Sequence, residues 1–267
     1  MFHQHISSLF IVFYLYRWNG AAFEVRVPEK QVVAVHRSPA ILGCTFTPPP
    51  TLQDTVVTWQ TVADQRVLHS FYYGTDQLDR QSPEYKNRTS LYHKQLLSGN
   101  ASLRLEGAGP RDTGKYLCSV STSQGTDKAE LQLSYAAFFT EPQLSILAHD
   151  STYTLQYESE GYPEPEVRWT DALGKNLTHS TQVLQSDENP NLLKLLTYVV
   201  ADTVKNLSWT LIVVNHPLGQ VIERPVRLFY DDQRDHVDCS RERLALLCPV
   251  AFCVIGLIIL FWGRTKC

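Results

Sequence analysis

An all-β chain of two tandem sandwiches followed by one membrane-spanning helix is what this 267-residue sequence predicts. Three observations carry the prediction. Short runs rich in Val, Thr, Tyr, Leu and Phe alternate with turn-forming clusters at sandwich spacing. These runs group into two blocks, each with a central tryptophan, Trp59 and Trp169. A charge-free stretch, Leu244 to Trp262, stands near the C-terminus. Composition excludes other classes: 43 % hydrophobic and 19 % charged residues fit neither a disordered chain nor a coiled coil. A net charge of −3 offers no concentrated basic patch for nucleic acid.

The ends come first, because they set the chemistry of the middle. Ile6 to Tyr16 is an apolar run, followed by Arg17 and the small residues Gly20, Ala21 and Ala22. This reads as a signal peptide over residues 1–22, cleaved before Phe23. The second stretch, residues 244–262, holds 19 residues without a charge, and at helical rise it spans roughly 28 Å, a bilayer core. Arg264 and Lys266 follow it directly, as on a cytoplasmic flank. Arg241 and Arg243 on the other flank even the charge balance, so the leader sets the orientation. The expectation is a single-pass type I protein of the plasma membrane, with a stalk over 233–243 outside and a tail over 263–267 inside. A glycolipid anchor is the alternative that so short a tail leaves open.

Residues 23 to 243 then face oxidising conditions, where disulfides form. Four Asn-x-Ser/Thr sequons lie there, at Asn87, Asn100, Asn176 and Asn206. All are expected glycan carriers.

The first unit, residues 23–135, reads as strands at Glu24–Val27, Val32–Val35, Ile41–Phe46, Val56–Thr61, Val67–Tyr73, Ser102–Leu105, Lys115–Ser121 and Lys128–Ser134. Cys44 is followed by Trp59, and Cys118 closes the motif Asp112-Thr113-Gly114-Lys115-Tyr116-Leu117-Cys118. In an immunoglobulin sandwich one cysteine comes from each sheet, a buried Trp packs on the bridge, and the Tyr two residues before the second Cys makes the tyrosine corner. Cys44–Cys118 is therefore the expected disulfide. The gap of 74 residues leaves room for the extra strands of a variable-type domain. Arg88 is expected to pair with Asp112 and tie the bottom of the unit together.

The second unit, residues 136–232, repeats the plan as a constant-type sandwich without its disulfide. Trp169 stands at the core-tryptophan position of Gly161-Tyr162-Pro163-Glu164-Pro165-Glu166-Val167-Arg168-Trp169. Tyr157 takes the place of the first cysteine and Leu211 that of the second, with Trp209 at the corner position. A missing bridge costs about 2–5 kcal/mol in a small secreted domain. Burial of a large aromatic and a Leu returns about 2–3 kcal/mol each. The substitution is tolerable, and it makes this unit the less stable of the two.

The ectodomain resembles the B-seven and butyrophilin-like family of T-cell co-signalling ligands. The resemblance rests on Val67-Leu68-His69-Ser70-Phe71-Tyr72-Tyr73-Gly74, Tyr85-Lys86-Asn87-Arg88-Thr89-Ser90-Leu91, Gly99-Asn100-Ala101-Ser102-Leu103-Arg104-Leu105 and, in the second unit, Gly161 to Trp169. It implies a surface ligand on antigen-presenting or tissue cells that engages a lymphocyte receptor and dampens activation. The missing second disulfide and the five-residue tail depart from the usual family pattern.

No enzyme chemistry is expected. There is no His-Glu-x-x-His, Cys-x-x-Cys, Gly-x-Ser-x-Gly or phosphate-cradling glycine loop, and neither cofactor nor metal is called for. His69 and His93 read as residues of a strand face and a loop. A binding face needs only exposed anchors. With Trp59, Tyr116 and Cys118 inward, alternation turns Thr58, Gln60, Leu117 and Ser119 outward. Phe71-Tyr72-Tyr73 cannot be buried on both faces, and Tyr72 is the expected exposed ring, with Phe71 or Tyr73 in its place should it turn inward. The segment 122–127, with Gln124, caps this face. These aromatics could alternatively do no more than cover the sandwich edge. Homophilic adhesion is the alternative function. Cys239, left over outside the membrane, either joins two copies covalently or stays reduced.

Overall fold

The structure, a computed structural model, describes residues 22–149, 152–202 and 207–229. The leader up to residue 21, Asn206, Cys239, the apolar stretch 244–262 and the tail lie outside the described residues. Among the described residues the helices are 3-10 turns of three to six residues, and none is long and apolar enough to cross a membrane. Everything else with regular structure is strand. The fold is all-β and immunoglobulin-like.

The first half opens with β1 (Val25–Arg26), β2 (Gln31–Val35), β3 (Ala40–Leu42) and β4 (Thr45–Phe46). The run Ile41–Phe46, expected as one strand, is thus broken at Gly43-Cys44. Its two pieces serve different sheets: β3 pairs with β9 (Leu103–Leu105), and β4 pairs with β1. Next come β5 (Val56–Thr61), β6 (Val67–Tyr72), β7 (Thr75–Asp76) and β8 (Thr89–Leu91), then β10 (Gly114–Thr122) and β11 (Gly125–Ala136). One sheet runs β2-β11-β10-β5-β6-β7 and the facing sheet runs β3-β9-β8. β2 lies parallel to β11, while every other pair in these sheets is antiparallel.

Between these sheets lies one apolar cluster built on Trp59, Cys44, Cys118, Leu42, Leu103 and Tyr116. Trp59 is directly opposite Cys118, and its Nε1 donates to the Ala101 carbonyl at 2.8 Å. A buried indole N–H needs such a partner. Cys44, in the break between β3 and β4, is bonded to Cys118 of β10. Gly99 leads into β9 with φ of +82°, where a side chain would also strike the Phe46 carbonyl oxygen.

At the bottom, Arg88 donates to both oxygens of Asp112, at 2.7 and 3.2 Å, and to the carbonyls of Glu84, Glu106 and Gly107. Asp112 is 8 % exposed; its carboxylate also accepts from the Gly109 amide, and its backbone carbonyl accepts from the Tyr116 hydroxyl at 2.6 Å. Burial pushes the Tyr116 hydroxyl far above the ordinary tyrosine range, so it remains a donor at any physiological pH. Arg88→Ala strands a nearly buried carboxylate and three carbonyls. The expected cost is about 2–3 kcal/mol, read as a lower urea midpoint at unchanged slope. A midpoint within error of wild type would show that Arg88 is merely a surface charge.

The second half contains β12 (Gln143–His149), β13 (Thr152–Gly161), β14 (Glu166–Asp171), β15 (Ser180–Gln185), β16 (Leu193–Asp202), β17 (Leu207–Asn215) and β18 (Gln220–Leu228). They form a sheet β12-β13-β16-β15 and a sheet β14-β17-β18 around a second cluster. Trp169 is fully buried there, its ring 5.6 Å from that of Tyr157 and directly opposite Leu211 in the ladder. Its Nε1 donates to the Thr197 hydroxyl at 3.0 Å. Gly161 is demanded by packing: a Cβ there would sit 2.5 Å from the Phe139 ring.

Candidate partner-binding face

The register of the six-stranded sheet decides which side chains share a surface. Leu117 is opposite Gln60, and Ser119 is opposite Thr58. Paired residues point to the same side of a sheet, so these four form one outward block. All four are half-buried, while their neighbours Val57, Trp59, Tyr116 and Cys118 are buried. The ladder extends further than alternation within a single strand reveals. Ser70 on β6 lies opposite Thr58, and Lys128 and Glu130 on β11 lie opposite Ser119 and Leu117. Sequence reasoning missed these three. The signal available for Lys128 and Glu130 was their alternation with Ala129 and Leu131 on β11.

The aromatic triplet separates cleanly. Phe71 points inward, opposite Val57. Tyr72 is outward and half-buried beside Val56, which is itself exposed. Tyr73 stands at the tip of the β6–β7 hairpin with φ of +54°, 83 % exposed, its ring edge-on to Tyr72 at 5.2 Å. Position-two alternation places Tyr72 on the side of Ser70 and Thr58.

The segment 122–127 is mostly strand. Thr122 pairs with Gly125 across a two-residue turn, Ser123-Gln124, and Gln124 is exposed at its apex. The hairpin is braced by Ser121 Oγ against Thr126 Oγ1 at 2.7 Å, and by the Val25 amide, which donates to Asp127. The Val25 and Lys128 amides hold the Asp127 carboxyl below the usual carboxylate range.

Two of the sequons of the first half adjoin the other sheet. Asn87 is exposed just before β8, with φ of +60°, and Asn100 precedes β9. The Asn100 amide is engaged, donating to Gln95 Oε1 and accepting from the Ser102 amide. Asn176 is exposed in the turn between β14 and β15. His69 is buried on β6, and His93 opens a 3-10 turn instead of sitting in a loop.

Residues 27–135 match the immunoglobulin V-set domain. A CD276 antigen homolog of Xenopus laevis is 30 % identical over 208 residues, which are 75 % of this chain and 67 % of that protein. Human V-set domain-containing T-cell activation inhibitor 1 is 27 % identical over 219 residues, 81 % of this chain and 77 % of that protein. The crystal structure of bovine butyrophilin aligns with a TM-score of 0.65 over 78 % of this chain and 100 % of its own, at 24 % identity, a likeness of fold. The matched stretch holds the bridge, the tryptophan on it and the tyrosine corner, and kinship extends well beyond it into the second half. The chain belongs to the B-seven/butyrophilin family.

Proposed function

We propose that this protein is a cell-surface ligand that binds a lymphocyte receptor through the outward face of the six-stranded sheet and dampens T-cell activation. The observation that carries the proposal is the face itself. It joins Thr58, Gln60, Leu117 and Ser119 to the outward ring of Tyr72, and the sequons at Asn87 and Asn100 adjoin the opposite sheet. The half-buried Tyr72 and the exposed Tyr73, beside polar and charged residues, suit a weak cell–cell contact in which a few anchors dominate. The relative named as a T-cell activation inhibitor supports the direction of the signal.

In the same proposal the two halves are tandem domains, variable-type over 23–135 and constant-type over 136–232. A membrane span over residues 244–262 belongs to the same reading. Cys239 is available to link two copies in front of it.

The test displays the full chain on cells and measures T-cell binding and proliferation. Tyr72→Ala should weaken binding by about 1–3 kcal/mol, roughly five- to 150-fold, with surface expression retained. A charge-introducing block at Gln60, Leu117 and Gln124 should abolish it. Unchanged T-cell binding by that block, in a protein still folded, removes this face. Clustering of displaying cells with each other in the absence of T cells favours homophilic adhesion instead.

A further inference from the structure

Behind the β6–β7 hairpin lies a cluster of ionisable side chains that neither the disulfide core nor the partner face uses. His69 points inward opposite Trp59 and is 1 % exposed. Its Nδ1 is 3.0 Å from the Thr89 hydroxyl. That hydroxyl lies 3.1 Å from the Leu68 carbonyl oxygen and accepts from Gln81 Nε2 at 2.8 Å. The other nitrogen, Nε2, is 3.0 Å from Asp76 Oδ1 but has no aligned hydrogen-bond partner. The same Oδ1 is 2.7 Å from Nε2 of His93, whose side chain is half exposed and whose ring lies 5.7 Å from that of Phe71. Two imidazoles from different elements converge on one carboxylate oxygen. That carboxylate sits on β7, a two-residue strand at the edge of the sheet.

Proton accounting gives the cluster a direction. Thr89 has one hydroxyl proton. If it goes to the Leu68 carbonyl, Nδ1 of His69 must carry a proton to bond Oγ1, and a neutral ring then aims a bare Nε2 lone pair at Asp76. If it goes to Nδ1, the ring proton sits on Nε2 but out of line with its acceptor. The imidazolium alone bonds Thr89 and attracts Asp76 through charge, which needs no alignment. His93 donates to Asp76 when neutral and holds it more strongly when charged.

The elements around His69 present Trp59 from β5, Asp76 from β7, Thr89 from β8 and Gln81 from the intervening loop, with His93 beyond Asp76. Of these, Asp76 and His93 are the ionisable ones. Burial pulls the Asp76 carboxyl upward, but the contacts with His69 and His93 outweigh it and leave it below the usual carboxylate range.

We infer that His69, Asp76 and His93 form a proton-operated clasp on the β6–β7 hairpin, closed in mildly acidic medium and slack above neutrality. When the two imidazoles are protonated, Asp76 has two charged partners in place of neutral ones and the hairpin is held more tightly; when they lose those protons it slackens. Stronger acid, which protonates Asp76, opens the clasp again. The hairpin bears Tyr72 and Tyr73, so an effect on partner contact rests on the reading above, whereas the clasp itself does not.

Amide hydrogen exchange on the full-length chain, at about pH 6 and about pH 7.5 and corrected for intrinsic rates, tests it directly. Peptides covering residues 67–78 should exchange several-fold more slowly at the lower pH, and peptides from β14 and β17 equally at both. Asp76→Asn should remove the difference. His93→Gln, at an exposed position where folding is not at stake, should reduce it and decides the matter should Asp76→Asn fail to fold. Equal hairpin exchange at both pH values in wild type, or an undiminished difference in His93→Gln, overturns the clasp. Loss of T-cell binding with the exchange pattern intact would instead concern the partner face.

Discussion

Replacing both bridge cysteines, Cys44→Ala with Cys118→Ala, is expected to destabilise the first half of the molecule by about 4 kcal/mol. The bridge closes a loop of 74 residues, and removing it returns that loop's freedom to the unfolded chain. The sulfurs are also part of the wall against which Trp59 packs, and two alanines leave a gap there. The effect should be local. Segment-resolved hydrogen exchange should show faster opening of β3, β5, β9 and β10, with β13, β14, β16 and β17 unchanged, because the second cluster contains no cysteine. Because the described residues form two separate cores, a single melting temperature would blur this difference. Unchanged protection in β5 and β10 would mean that packing on Trp59, not the covalent link, holds the first half together.

The second large effect is expected in the other core. Trp169→Ala should cost about 3–5 kcal/mol, enough to unfold β13 to β18 at body temperature. Trp169 is fully buried, packs at a tilt against Tyr157 and donates to Thr197, whose hydroxyl also lies 3.3 Å from the Ser180 carbonyl. Removing the indole creates a cavity and breaks that chain of bonds at one step. With no covalent link to limit the unfolded state, the second half has less reserve than the first. Reducing agent should leave this half untouched, and limited proteolysis of Trp169→Ala should cut there first. Wild-type resistance in that region would show that the Tyr157–Trp169–Leu211 arrangement contributes little.

The difference between the halves illustrates how a core position can be kept while its chemistry changes. Tyr157 on β13 and Leu211 on β17 occupy places from the two sheets, facing one buried tryptophan between them. Thr197 satisfies the indole N–H, as the Ala101 carbonyl does in the first half. Apolar contact and one hydrogen bond replace a covalent link. The sandwich persists because its hydrophobic layer does not depend on the bridge.

Sequence alone was enough to locate the first core. Cysteines, Trp59, Asp112, Gly114 and Tyr116 carry specific local chemistry, and strict alternation along β5 and β10 shows which side they face. Runs of six or more residues, such as β5, β10 and β11, were legible because a period of two needs several repeats to show. The two-residue β7 was not, since it exists only through pairing with β6. The break of Ile41–Phe46 into β3 and β4 was equally hidden: nothing within that run says that its ends belong to different sheets.

Only the tertiary structure decided what lies beside what. Between β5 and β6 the register slips at Trp59/Gln60, so Leu68 and His69, adjacent in sequence, are both buried. That bulge turns a histidine expected on a strand face into a buried neighbour of Asp76, and no period-two pattern could foretell it. Register across strands likewise brought Ser70, Lys128 and Glu130 onto the outward face with Thr58, Gln60, Leu117 and Ser119. Alternation within a strand is dictated by the backbone and can be read from a few residues. Register between strands is the outcome of turns, bulges and core packing acting together, and it appears only once the sheets have closed on each other.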